Sequence, residues 1–205
     1  MNYLAHAVLG GVEPEVALGN FIADAVKGSS LTGWSPGVAD GIRLHRAIDQ
    51  FADDHPASVH SRGLLRPWLG KMSGVGLDLL HDHFLARDFE KYALFPGGLE
   101  PFACEIERVL LHQLPAMPER SSRFFLALKE NGWLTGYAEP TIMQAVCEAM
   151  DRRIAWPSAL NQTLTPLKDK ETARLLLTDF EAMWQDMQEH LKELPGQSLA
   201  RVARL

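Results

Sequence analysis

Thiols are scarce in this chain: Cys104 and Cys147 are its only two cysteines in 205 residues. Two scattered cysteines build neither a disulfide framework nor a thiolate metal site, and free thiols fit a reducing compartment. Long apolar runs are lacking too. The opening stretch MNYLAHAVLGGVEPE has no basic lead and is broken by Glu13. Neither a signal peptide nor a membrane span is expected, and the expected compartment is the cytosol. Positive charge is in deficit, with 20 Lys and Arg against 26 Asp and Glu, a net charge of −6. That balance argues against nucleic-acid binding. Alternating hydrophobicity of period two is absent, and leucine outnumbers isoleucine plus valine by 30 to 16, which favours helices over strands. No Gly-rich phosphate loop and no G-x-S-x-G elbow is visible.

What is present is a chain cut into helix-sized pieces by proline and glycine. Pro14 opens a segment expected to run to Lys27 and stop at Gly28. Ser35 and Pro36 supply an N-cap and a first-turn proline for a helix to about Asp53. Further helices are expected near Pro56–Leu69, Gly76–Phe89, Glu100–Gln113, Glu119–Asn131, Pro140–Ile154 and Lys168–Leu194. In the last, Leu176, Phe180, Met183, Trp184 and Met187 recur at helical spacing, which reads as packing rather than chemistry. The expected architecture is an all-α, single-domain helical bundle over residues 1–205, with a loose tail from about residue 195.

Polar residues recur four apart on three of these segments. In GIRLHRAIDQFADDH, His45 and Asp49 share a face, about 5–6 Å apart at Cβ, and Asp53 extends the row. A helical histidine–carboxylate pair can hold one metal from consecutive turns; a surface ion pair is the plain alternative. In LDLLHDHFLARDF, Asp78 and Asp82 share a face and His83 lies about 100° round the helix. His81 and Asp88 fall on other faces and read as solvated or capping. In LGNFIADAVKG, Asn20 and Asp24 are again four apart among apolar neighbours, where an unpartnered carboxylate would be costly. His6 follows Leu4 and Ala5. Imidazole and carboxylate donors without thiolate suit manganese, iron, zinc or magnesium, and such a metal suits attack of water on a phosphate ester.

Taken together, MNYLAH, GNFIADAVKG, GIRLHRAIDQFADDHP and LDLLHDHFLARDF closely resemble the acyl carrier protein phosphodiesterase family. The resemblance covers roughly residues 1–90 by motif and is looser beyond. It implies a helical fold related to the histidine–aspartate (HD) phosphohydrolases. It implies hydrolysis of the phosphodiester that joins 4′-phosphopantetheine to a serine of holo acyl carrier protein, with Mn2+ favoured over Mg2+, Fe2+ or Zn2+. By position it points to Asp24, His45, Asp82 and His83 as metal ligands, with Asp49 joining them or orienting His45. His6 becomes a candidate proton donor to the leaving serine, and Asn20 or Arg46 a candidate holder of phosphoryl oxygens. The acid-free stretch from His55 to Leu77, with Arg62, Arg66 and Lys71, is the expected docking patch for the carrier protein; should it be only a solvated face, the docking surface is to be sought around Arg120 and Arg123. Two rival readings stand beside this one. One is an HD-like phosphohydrolase of a nucleotide or other small ester. The other is a non-catalytic helical binding protein whose histidine–carboxylate pairs are structural.

Overall fold

The computed structural model describes residues 1–93, 95–152, 154 and 158–193, which form one all-α domain. Among these described residues, eleven α-helices follow in chain order: α1 Tyr3–Gly10, α2 Pro14–Ile22, α3 Pro36–Asp54, α4 Pro56–Leu69, α5 Ser73–Arg87, α6 Phe89–Tyr92, α7 Leu99–His112, α8 Glu119–Glu130, α9 Trp133–Gly136, α10 Pro140–Asp151 and α11 Lys170–Glu193. The expected tail beyond residue 195 lies outside the described residues. Among those described, no helix is long and apolar enough to cross a membrane.

The local signals explain most boundaries. Pro36 occupies the first turn of α3, and the Ser35 hydroxyl accepts from the Val38 amide at 3.4 Å. Glu13 caps α2 the same way, accepting from Val16 at 2.8 Å. Two expectations need correction. Helix α2 does not reach Lys27: it stops at Ile22 and tightens into a single 3₁₀ turn, Ala23–Ala25. Helix α1 goes beyond the expected segments: Asn2 is a residue type suited to an N-cap and stands at that position, but it makes no side-chain cap.

Helix packing places the site. Helices α2 and α3 form the tightest pair, crossing at Gly19 and Gly41. A Cβ on Gly19 would stand 2.0 Å from the Val38 carbonyl oxygen, and one on Gly41 would stand 2.2 Å from that of Val16. The backbones therefore touch, and His45, one turn beyond Gly41, is drawn against the end of α2. Helix α1 lies across α2, α3 and α5. Helix α11 closes the opposite side over α4 and α5, burying Phe180, Met183, Trp184 and Met187. The indole N–H of Trp184 donates to the Tyr92 carbonyl at 3.1 Å.

Candidate functional site

Almost every residue of MNYLAH is anchored. The first-turn amides of α1, from Leu4 and Ala5, donate to the two oxygens of Asp82 at 2.8 and 3.0 Å. A carboxylate from α5 thus caps α1 from outside, where the amides lack partners and the helix dipole favours negative charge. Asn2 donates to the Tyr137 hydroxyl at 3.2 Å. The Met1 amino group pairs with Asp49 at 3.3 Å and Asp78 at 3.1 Å. Asn20 donates to the His6 carbonyl at 2.7 Å, and Gly10 leaves the space for that amide.

Fixed in this way, α1 presents His6 to α3. The rings of His6 and His45 stack with centroids 3.9 Å apart and planes 13° apart. Asp49 bridges them: Oδ1 lies 3.0 Å from His6 Nε2, and Oδ2 lies 3.0 Å from His45 Nε2. Asp24, on the 3₁₀ turn, brings Oδ1 to 3.3 Å from the same His45 nitrogen. Among the described residues, His6, His45 and Asp49 are a group whose donor atoms all lie within 4.8 Å of one another. The two imidazoles are buried, whereas the Asp24 side chain is 74% exposed. Asp24 is therefore not the buried carboxylate expected from its apolar neighbours. It stands at the rim, with His45 as partner.

The charges of this cluster are strongly coupled. Burial pushes the His6 imidazole down to about 4, so the ring is neutral near pH 7. For His45 burial also favours the neutral form, but Asp24 and Asp49 together outweigh it and raise the group. Burial works to raise Asp49, and the two imidazoles hold it well below the usual carboxylate range. The contact with His45 lowers Asp24 as well. The fit to a cation is visible in the polar atoms left over. His6 Nδ1, both ring nitrogens of His45 and Asn20 Oδ1 are buried without a hydrogen-bond partner. The carboxylates reach His45 Nε2 at ion-pair distance without the angles of a hydrogen bond. Two stacked imidazoles and two carboxylates form a mixed nitrogen–oxygen donor set of the kind that holds first-row divalent metals.

The cluster forms one wall of a cleft of about 230 Å³ that also exposes Asn20 and Asp78 and runs in between Leu79, Ile106, Leu110 and Met150. Tyr3, Phe21 and Asp24 also line a neighbouring groove of about 450 Å³ whose far side is α8.

Other expected site residues lie elsewhere. Asp82 is fully buried and committed to the amides of α1, and burial pushes it up to about 7 against their pull. His83 points to the other side of α5, where its Nδ1 donates to the Tyr137 carbonyl at 2.7 Å. Neither belongs to the His6–His45–Asp49 group. His81 is not solvated: it is buried 5.5 Å from the Phe180 ring, and burial drives it down to about 3. Arg46 makes no ion pair with Asp49 or Asp53. It donates to the Val26 carbonyl at 2.9 Å and braces the segment after Asp24. Arg62 is engaged by Asp53, at 3.4 Å to its carboxylate and 2.6 Å to its carbonyl. Arg66 and Lys71 are exposed, and none of these three lines the cleft or the groove. Sequence reasoning passed over Asp78 as a cleft residue; its spacing of four from Asp82 was the available signal.

Fold and site together define an all-α protein with a buried histidine–carboxylate cluster at the wall of a cleft. The pattern of the family described as "Acyl carrier protein phosphodiesterase" matches residues 1–187. Three similar proteins bear that same name. One, from Yersinia pestis, is 31% identical over 92% of this chain and 98% of its own length. Another, from Photorhabdus laumondii subsp. laumondii, is 30% identical over 90% of both chains. The third, from Yersinia enterocolitica, is 33% identical over 75% of this chain and 79% of its own. The chain belongs to the acyl carrier protein phosphodiesterase family, a family of enzymes. No solved structure matches it significantly.

Proposed function

We propose that this protein is a metal-dependent phosphodiester hydrolase of the cytosol that removes 4′-phosphopantetheine from holo acyl carrier protein and leaves the apo protein. The observation that carries the reading is the convergence of His6, His45 and Asp49 beside a cleft, with Asp24 at its rim. These four residues would hold the cation, with Mn2+ the preferred ion. A divalent metal there supplies a Lewis acid that activates water and neutralises a phosphoryl oxygen. Kinship with the HD phosphohydrolases belongs to the same proposal and rests on the same cluster.

The chain's own residues then have definite parts. His6 joins the ligand set rather than the proton donors, since it is buried, neutral and held by Asp49. Asn20 commits one N–H to the His6 carbonyl, and its Oδ1 is buried without a partner. It can orient a water or an amide N–H of the pantetheine arm, and the second N–H of its amide is left to donate to a phosphoryl oxygen. The apolar walls of the cleft exclude bulk water from one side of the cluster. A wider groove adjoins the cleft across Tyr3, Phe21 and Asp24, which favours a macromolecular ester over a nucleotide.

The test is mass spectrometry of holo acyl carrier protein after incubation with the enzyme and Mn2+. The expected product is the carrier protein with a free serine, together with 4′-phosphopantetheine, and no change in EDTA. An unchanged carrier protein in the presence of each of the four metals would sink the reading.

A further inference from the structure

The groove beyond Asp24 has a composition unlike the rest of this acidic chain. Its α8 side carries Arg120, Ser121, Arg123 and Phe124, and its floor is the Tyr3–Phe21–Phe124 aromatic cluster. The Tyr3 and Phe124 rings lie 4.5 Å apart and those of Phe21 and Phe124 lie 6.1 Å apart, which makes the floor stiff. Arg120 makes no ion pair among the described residues. Arg123 has one, with Glu119 at 3.4 Å, and both side chains are more than 70% exposed. A pair so exposed is worth little and yields readily to another anion. The two guanidiniums are therefore available, and they flank the mouth of the catalytic cleft.

A phosphodiester has two arms, and the junction at Asp24 offers two unlike channels for them. The cleft of about 230 Å³ with aliphatic walls admits a slender chain and no folded segment. The groove is about twice as large, open, aromatic and basic. We infer that the groove between α8 and the Ala23–Ala25 turn is the docking site for an acidic polypeptide segment flanking the esterified serine, with Arg120 and Arg123 as its reading residues. The inference rests on the proposed activity. Charge complementarity supports it: on a chain of net charge −6, an acidic partner is repelled except where exposed arginines are unpaired, as Arg120 is, or weakly paired, as Arg123 is. Arginine also suits the task, since its planar fork matches a carboxylate.

The test separates docking from turnover. Binding of fluorescently labelled holo acyl carrier protein is measured in EDTA for the wild type, for Arg120→Glu/Arg123→Glu and for Arg66→Glu on α4. Steady-state hydrolysis is measured separately with Mn2+. The double variant is expected to weaken binding and raise KM at least tenfold, with kcat within twofold, and to flatten the salt dependence of kcat/KM. A carrier protein with an acidic residue beside the serine reversed to lysine is expected to recover part of the loss. Tight binding by the wild type that the double variant weakens, without hydrolysis, would overturn the proposed activity and keep the groove. Hydrolysis whose KM is unmoved by the double variant, or moved instead by Arg66→Glu, would overturn the groove. So would an equal fall in kcat. Absence of binding by the wild type would overturn both.

Discussion

His45 Nε2 faces two carboxylates at 3.0 and 3.3 Å while its ring is buried against His6. The proposed cation would satisfy all of them at once. Replacing His45 by alanine, or Asp49 by asparagine, is expected to abolish hydrolysis while circular dichroism keeps the helical signal. Activity that survives either change would place the metal elsewhere. Replacing His83 by alanine should act differently. It removes a buried hydrogen bond to Tyr137 and leaves that carbonyl without its donor, a loss of about 1–3 kcal/mol. Turnover of the folded variant should stay near wild type, which a denaturation curve and an assay on the same sample would check. His81 sets a pH effect. Its folded value of about 3 lies below the ordinary 6.5, so between those values the unfolded chain binds more protons. Stability should fall as pH falls through that window, with a slope from this group approaching ~1.4 kcal/mol per unit. His81→Phe, which can pack on Phe180, should lessen the slope; parallel acid limbs for the two proteins would reject this role. Much of the cluster could be read from spacing. Asp24, His45 and Asp49 were legible because i,i+4 pairs and a motif marked them. Asp82 and His83 misled because a buried carboxylate looks the same in sequence whether it faces a cation or a helix end.

Elements fare better than sites in such a reading, and α2 and α3 show why. Proline and serine announce the start of α3, and glycine placement is visible, but the contact between Gly19 and Gly41 is tertiary and has no local sign. Gly41→Ala would force the added methyl onto the Val16 carbonyl and the Gly19 backbone, which cannot rotate away. Overpacking of this sort costs roughly 1–3 kcal/mol or more. Because the crossing also sets His45 against Asp24, the variant is expected to lose hydrolysis beyond its loss of stability. A variant as stable and active as the wild type would mean the helices can part freely. The 3₁₀ turn at Ala23–Ala25 was illegible for a related reason: the Asn20–Asp24 spacing reads as continuous helix, whereas the chain tightens there and Arg46, from α3, takes the Val26 carbonyl just beyond.

At the scale of the molecule, the bundle holds the cluster where α1, the end of α2 and the middle of α3 meet, so the proposed ion would tie three helices together. A ligand that binds only the folded state at a hundred times its Kd adds about 2.7 kcal/mol. For a chain of this size Mn2+ is therefore expected to raise Tm by several degrees, at about 2–4 °C per kcal/mol, with reversal in EDTA and no rise in His45→Ala. A Tm indifferent to every divalent ion tried would argue for the binding-protein alternative. The all-α architecture itself was plain from leucine excess and helix-length punctuation, whereas the position of α1 was not, since its start is satisfied by a residue 78 positions away. That distant cap has a kinetic signature. The first turn of a short helix ordinarily exchanges its amide protons with solvent within moments. Here the Leu4 and Ala5 protons can leave only when α5 withdraws Asp82, so their exchange rates would serve as a clock for the opening of the interior, read by NMR without any substrate.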